Sequence, residues 1–142
     1  MENNRNIDNS YAYETVTRAR DKERPKAQEF AEALIKKQVQ LHGDRCFGED
    51  PCVFGGIGLY HRIPVTFFGM RKSKEISENI KYNFGMTHPE GYRKAIRLLK
   101  QAEKFSRPVI TFIDTPGAYP GIEAEEKGQG EAIAKNLAEM FG

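Results

Sequence analysis

The sequence predicts an α/β fold on three observations: two short apolar runs in tandem, Cys52 to Tyr60 and Ile63 to Met70; an amphipathic helix opened by Pro89; and a further apolar run, Val109 to Ile113, directly after Pro108. Strand, helix and strand in that order require a parallel pairing with a right-handed crossover. At 142 residues the chain has the length of one domain, and 39% hydrophobic residues make its core lean but sufficient for folding.

Residues 1–24 carry few apolar side chains among Asn, Arg, Asp and Glu and are expected to form a peripheral arm, partly disordered or a short helix from Ala12. Residues 25–142 are expected to form the domain proper. Pro25 suits a first helical turn, and Phe30, Leu34, Val39 and Leu41, with Ala31 and Ile35 beside them, predict a helix over about 26–41, ended by His42-Gly43. The break at Tyr60-His61-Arg62 joins the next two runs as strands through a tight turn. Residues 71–88 lack an apolar period and read as a long connection with one helical turn near Ile76 to Tyr82. A connection of that length is usually functional or disordered.

From Pro89 the residues Tyr92, Ala95, Ile96, Leu99, Ala102 and Phe105 fall on an inward face, with Arg93, Lys94, Arg97, Lys100 and Lys104 outside. Pro108 ends that helix and Val109 to Ile113 form the strongest strand. A Gly/Pro loop, Asp114 to Gly121, then leads to a helix from Glu125 to Phe141 with Ile133, Leu137 and Met140 inward. A βαβα succession continues into another parallel strand, so the chain is expected either to be a fragment or to rely on a partner to finish its sheet.

The formal charge of +2 divides unevenly: residues 1–70 contribute 0, residues 71–107 contribute +6 and residues 108–142 contribute −4. A basic middle is ordinarily a solvated helix face, yet it also suits a phosphate or carboxylate ligand, and Arg71, Lys72, Lys74 and Arg93 are the candidates for anion contact. So small a net charge predicts no nucleic-acid partner. Bilayer spans need about 20 apolar residues and none occurs, nor does Met1 to Asn6 open an apolar signal region, so neither membrane insertion nor secretion is expected. Two cysteines cannot staple a secreted scaffold, which points to a reducing, cytoplasmic compartment.

Asp114-Thr115-Pro116-Gly117-Ala118-Tyr119-Pro120-Gly121 occupies the place where open parallel sheets bind ligands, after a strand and before a helix. Two readings stand: a plain Pro/Gly turn, or a loop whose Gly117 and Gly121 amides, with those of the next helix, face an oxyanion. Its D-x-x-G would suit a nucleotide switch only alongside a phosphate loop G-x-x-x-x-G-K-[ST], which is absent. Gly55-Gly56-Ile57-Gly58 within a strand signals either a bulge or close approach of another backbone or ligand. Cys46 and Cys52 stand six positions apart and no C-x-x-C or H-E-x-x-H occurs, so no metal site is expected. Without G-x-S-x-G or a Cys/His pairing, any catalysis would rest on backbone donors rather than a side-chain triad.

Six segments in one order carry a family resemblance: Leu41-His42-Gly43-Asp44-Arg45, Gly55-Gly56-Ile57, Asn83-Phe84-Gly85-Met86, His88-Pro89-Glu90-Gly91-Tyr92-Arg93-Lys94-Ala95, Thr111 to Gly121, and Gly128-Gln129-Gly130-Glu131-Ala132-Ile133-Ala134. Together they resemble the alpha subunit of bacterial-type acetyl-coenzyme A carboxylase carboxyltransferase. The resemblance implies a crotonase-like (ClpP/crotonase) spiral fold, incomplete in this chain. It implies transfer of a carboxyl group from carboxybiotin to acetyl-CoA, giving malonyl-CoA for fatty acid synthesis. The implied partners are a beta subunit carrying a zinc ribbon, the biotin carboxyl carrier protein and biotin carboxylase, in an alpha2-beta2 arrangement.

Carboxybiotin and acetyl-CoA are then substrates of the complex, and no cofactor is expected on this chain itself. Gly55, Gly56, Thr115, Pro116, Gly117, Ala118, Tyr119, Pro120 and Gly121 are the candidates for the biotin-side pocket. The family's oxyanion glycines, in a segment of the form G-E-G-G-S-G-G, have no counterpart up to Gly142, so no catalytic residue is named. Two positions depart from the family's pattern: Arg71-Lys72-Ser73-Lys74 stands where Gln-Lys-Gly-Arg or Gln-Lys-Gly-Lys is usual, and Glu123 where Gly is usual. The alternative to an enzyme subunit is a noncatalytic anion-binding or assembly module of the same fold.

Overall fold

The computed structural model describes residues 9–141, so the expectation for the first eight residues of the arm lies outside it. The elements run α1 (Asn9–Ala19), α2 (Ala27–Leu34), β1 (Lys36–Gln40), β2 (Val53–Tyr60), β3 (Ile63–Met70), α3 (Ile76–Lys81), a 3₁₀ turn (Asn83–Gly85), α4 (Pro89–Lys104), β4 (Val109–Phe112), α5 (Ile122–Glu126) and α6 (Gln129–Phe141). The four strands form one sheet in the order β1-β2-β3-β4.

The hairpin of β2 and β3 pairs Val53 with Met70 through to Tyr60 with Ile63. His61 and Arg62 both take positive φ, 46° and 71°, the backbone of the tight turns whose twist matches that of paired strands. α4 then carries the chain back so that β4 pairs parallel to β3, Thr66 beside Val109 and Gly69 beside Phe112, as the strand, helix, strand order requires. Alternation sends Phe54, Val65 and Phe67 to one face, against Ala27, Ala31 and Ile35, while Phe68 faces Ala95 and Leu98 of α4 on the other.

The helix expected over 26–41 stops at Leu34. Ile35 is already extended, with φ −98° and ψ 121°, and Lys36–Gln40 is a strand antiparallel to β2. The cause is tertiary: Ile35 is buried between α2 and the sheet, so the backbone beyond it runs beside β2 and exchanges helical hydrogen bonds for a strand ladder. Phe30, Leu34 and Val39 are consequently exposed. Pro25 precedes the cap residue Lys26 instead of lying in the first turn.

α4 buries Gly91, Lys94, Ala95, Leu98 and Ala102, a face rotated from the expected one, and leaves Phe105 exposed. Packing against two layers, the sheet and α6, selects that face. The expected last helix is two, because Gly128 at φ 79° breaks the chain between α5 and α6. Leu137 and Met140 point outward, since α6 meets α4 through Ala132 and through Asn136 Nδ2, which donates to the Tyr92 carbonyl at 2.8 Å. No helix among the described residues is long and apolar enough to cross a membrane.

Candidate functional site

The loop from Asp114 to Gly121 leaves the carboxyl end of β4, beside the end of β3 and the start of β2. Asp114 anchors it: one carboxylate oxygen, Oδ1, accepts from Arg24 Nη2 at 2.6 Å and from Lys72 Nζ at 3.1 Å. Burial by itself would raise this carboxyl, but the hydrogen bonds and charges of Lys72 and Arg24 outweigh it and hold Asp114 below the usual carboxylate range. Its other oxygen is buried with no partner. Thr115 Oγ1 lies 2.5 Å from the Gly85 carbonyl and 2.8 Å from that of Gly117, so its single proton serves one or the other. Gly85 has φ 82°, and a side chain there would meet Lys72 Cε at 2.6 Å and the Asp114 carbonyl at 3.0 Å, which is why the chain places a glycine at this crossing.

Farther along, Ala118 bridges to Thr87 in parallel fashion and the Tyr119 N–H donates to the Thr87 carbonyl at 3.1 Å. Buried Gln129 donates from Nε2 to the carbonyls of Thr87 at 2.9 Å and Tyr119 at 3.0 Å, tying the loop to the approach of α4. The Tyr119 ring stacks on His88 with centroids 4.0 Å apart. Pro116, Gly117 and Pro120 are exposed.

Two of the amide donors read from the sequence meet particular surroundings. The Gly117 N–H donates to Thr115 Oγ1 at 3.0 Å, so in this conformation it is turned into the loop. Gly121 caps α5, a helix of five residues whose first turn carries Glu123 and Glu125. Gly55 and Gly56 lie in mid-strand. A Cβ on Gly55 would come within 2.7 Å of Phe68 Cβ and 2.8 Å of Leu98 Cδ1, and one on Gly56 would enter the Val39 peptide. Both glycines thus serve close backbone packing, Gly56 against β1 and Gly55 against α4.

Of the four cations read as anion contacts, Lys72 alone reaches the loop. Lys74 pairs with Glu23 at 2.9 Å at the arm. Arg93 lies 3.5 Å from Asp44, donates to the Lys127 carbonyl and covers the Phe47 ring. Arg71 lies over the rings of Phe54 and Tyr82 and donates to the Pro51 carbonyl at 3.4 Å. Of the residues that organise the loop, Asp114 is legible in the sequence as the head of the loop and of its D-x-x-G, whereas Arg24, Gly85, Thr87 and Gln129 are not individually marked. Gly85 and Gln129 sat inside the quoted motifs, whereas Arg24 lay in the arm and nothing local marks it.

Below the loop, Asp50 accepts from the Cys52 N–H at 2.9 Å and from the His88 N–H, at the start of α4, also at 2.9 Å. Burial raises its carboxyl, and those two amides offset part of the rise. Burial likewise pushes the Cys52 thiol up to about 12, with the Asp50 charge adding to it. Such a thiol is a poor nucleophile at neutral pH.

Asp114→Asn should therefore release the arm. Two charge-assisted hydrogen bonds weaken, a local loss of about 1.5 kcal/mol, so trypsin should cut within residues 18–26 about tenfold faster. Acid should mimic the substitution: with its folded value depressed, Asp114 stabilises fully above the ordinary value of about 3.9 and loses that contribution as pH falls through the lower folded value. Unchanged cleavage in the variant would show that the Arg24 and Lys72 contacts do not hold the arm.

A family model described as acetyl co-enzyme A carboxylase carboxyltransferase-like matches residues 2–142. The chain belongs to that family. It is 57% identical over 130 residues to the carboxyl transferase subunit alpha of acetyl-coenzyme A carboxylase from Anoxybacillus flavithermus, covering 92% of this chain and 40% of the relative. With the same subunit from Streptococcus gordonii the identity is 59% over 125 residues, 88% of this chain and 49% of the relative. The chain thus spans less than half the length of these relatives. In Clostridium tetani a relative named as subunits beta/alpha is 52% identical over 130 residues, 92% of this chain and 23% of that protein.

Among solved structures, the beta subunit of Pseudomonas aeruginosa geranyl-CoA carboxylase matches 90% of this chain and 24% of its own length, with TM-score 0.60 and 20% identity. The transcarboxylase 12S core matches 89% of this chain and 24% of its own, with TM-score 0.59 and 16% identity. The fold is the crotonase-like α/β type that the resemblance implied.

Proposed function

We propose that this chain is the part of a carboxyltransferase alpha subunit that forms the biotin side of the active site. In the assembled enzyme it would help transfer a carboxyl group from carboxybiotin, on the biotin carboxyl carrier protein, to acetyl-CoA, yielding malonyl-CoA for fatty acid synthesis. The observation that carries this reading is the loop from Thr115 to Gly121, held at the carboxyl end of a parallel strand by Asp114 and Gln129 within a chain 57% identical to named alpha subunits.

Carboxyl transfer builds negative charge on the ureido oxygen of biotin and on the acetyl-CoA enolate, and preorganised amides stabilise such charge without a titrating nucleophile. Gly117 and Ala118 are the loop positions proposed to line the pocket, with Gly55 and Gly56 supporting it through the sheet. Lys72, already at Asp114, is the basic candidate best placed to meet an anion there. Residues 25–142 would make up this part of the carboxyltransferase domain, with 1–24 as an arm upon it. The partners proposed are the zinc-ribbon beta subunit, the carrier protein and biotin carboxylase, in an alpha2-beta2 complex in the cytoplasm.

The test is a chimera in which this chain replaces the matching region of the A. flavithermus alpha subunit, assayed for carboxyl transfer with that enzyme's beta subunit. The chimera should be active. The 142-residue chain with the same beta subunit should fall by at least about 10²-fold, because losing a single oxyanion donor already costs about 10² to 10³ and the family's Gly-rich segment is not among its residues. An inactive chimera that still assembles would overturn the proposal in favour of a noncatalytic module.

A further inference from the structure

A cleft of about 350 Å³ separates the arm from α3, and six cations line it: Arg20, Lys22, Arg24, Lys26, Lys72 and Lys74. Asp21 is the one carboxylate residue in the same lining. Three more carboxylates reach its cationic residues from outside: Asp114 shared by Arg24 and Lys72, Glu23 paired with Lys74, and Glu29, whose Oε2 accepts from the Lys26 N–H at 3.2 Å. Among the described residues Arg20 and Lys22 make no ion pair. A surface excess of charge is usually just a solvated face, but Lys26 is not on a solvated face. It is 6% exposed, and its Nζ hydrogen-bonds the Asp21 carbonyl at 3.1 Å, with no carboxylate paired to it among the described residues. An ammonium carries three donors, and holding one out of water without a counter-charge is costly. An anion entering the cleft would supply what the chain does not.

The lining is not all cationic. Ile76, Asn79 and Phe84 belong to it as well, with Ile76 64% and Phe84 48% exposed. Asn83 and Phe84 have φ of 49° and 54°, two consecutive residues with side chains in the left-handed region. Such backbone is unfavourable for a bulky residue and persists only where its surroundings enforce it. Here the Gly85 N–H closes onto the Tyr82 carbonyl at 2.9 Å and the Met86 N–H onto that of Asn83 at 2.8 Å, so the Phe84 ring is held at the cleft.

We propose that this cleft binds a nucleotide, its phosphates on Arg20, Lys22 and Lys26 and its base against Phe84 and Ile76. The lining combines an excess of positive charge with an exposed aromatic ring, the two features that the phosphates and the base of a nucleotide would meet. The volume falls in the range of small-molecule pockets. This goes beyond the carboxyl-transfer reading, which gives this chain the biotin side; because acetyl-CoA itself carries an adenosine diphosphate, acetyl-CoA is titrated beside the other ligands, and tighter binding of acetyl-CoA than of adenosine diphosphate would overturn the separate assignment.

The experiment is calorimetric titration of the full chain, its thermal unfolding transition recorded beforehand, with adenosine diphosphate and separately with inorganic pyrophosphate and with acetyl-CoA. The diphosphate nucleotide should bind at one site and at least about fivefold more tightly than pyrophosphate, and Phe84→Ala should remove that difference. Lys22→Glu should weaken both ligands about tenfold, since reversing one exposed charge a few ångströms from a phosphate shifts binding by roughly that much. Lys26→Met should do the same while the unfolding transition is retained. Lys104→Glu, the same charge change on the exposed end of α4, should alter neither. Absence of saturable binding, an equal loss in Lys104→Glu, or a nucleotide that binds no better than pyrophosphate would each overturn the assignment.

Discussion

Gly56→Val is expected to leave the chain unfolded at room temperature, a loss of about 4 kcal/mol or more where domains of this size hold about 5 to 15. The size of the effect comes from what the new atoms would strike. At Gly56 a Cβ enters the Val39 peptide and lies 3.1 Å from Gln40 Cα, so the obstacle is backbone and no rotamer relieves it. Relief would require β1 to leave β2, and with it Ile35 to leave the cluster of Ala27, Ala31, Phe54, Val65 and Phe67. Far-UV circular dichroism with thermal unfolding measures it. The control is Gly48→Ala, where a Cβ meets nothing within 4 Å and the change should stay within about 0.5 kcal/mol. A Gly56→Val protein melting within a few degrees of the parent would mean that β1 does not approach β2 as closely as described.

Glu49→Ala is expected to cost about 3 kcal/mol, and Lys94→Met about 1 kcal/mol or less. Lys94 is 1% exposed; its Nζ donates to Glu49 Oε1 at 2.6 Å and to the Val53 carbonyl at 2.8 Å. Removing the carboxylate strands an ammonium in the interior, whereas removing the ammonium leaves a carboxylate that already reaches water, with a methionine of similar shape filling the space. Denaturant titration of the two variants distinguishes this asymmetry from simple loss of packing, which would make Lys94→Met the worse of the two.

The pH dependence follows with a definite sign. For Glu49, burial opposes ionisation but Lys94 and the Gly43 amide prevail, so its carboxyl is depressed and its stabilisation is lost as pH falls below its ordinary value near 4.5. For Lys94, burial lowers the ammonium below its ordinary value near 10.5 despite Glu49. Between that lowered value and 10.5 the unfolded chain binds more protons, so stability rises with pH there as well. Both slopes should vanish in the double variant.

Local pattern carried much of the architecture. The apolar hairpin, the helix after Pro89, the parallel return at Val109 and the loop after it all follow from short-range chemistry: β-branched and aromatic runs, a proline at a helix start, glycines where strands cross closely. The loop's place at the carboxyl end of a strand was legible for the same reason, since element order alone puts it there. The internal holding of that loop was not. Arg24 lies 90 positions from Asp114, and no spacing rule links an arm residue to a carboxylate that far away.

By itself, then, the sequence determined the succession from the hairpin of β2 and β3 through α4 to β4, the hairpin's turn, and the position of the loop, because each depends on residues within a few positions of one another. Tertiary structure decided three things that periodicity misjudged. It turned 36–40 into a strand, because a buried Ile35 carries the following backbone alongside β2. Lys94 was drawn inside because a carboxylate and a carbonyl from distant segments meet there, and a lysine so satisfied can occupy a face that hydropathy reserves for solvent. Leu137 and Met140 were left outside because burial depends on which surface lies opposite a helix, and α6 turns Ala132 and Asn136 toward α4.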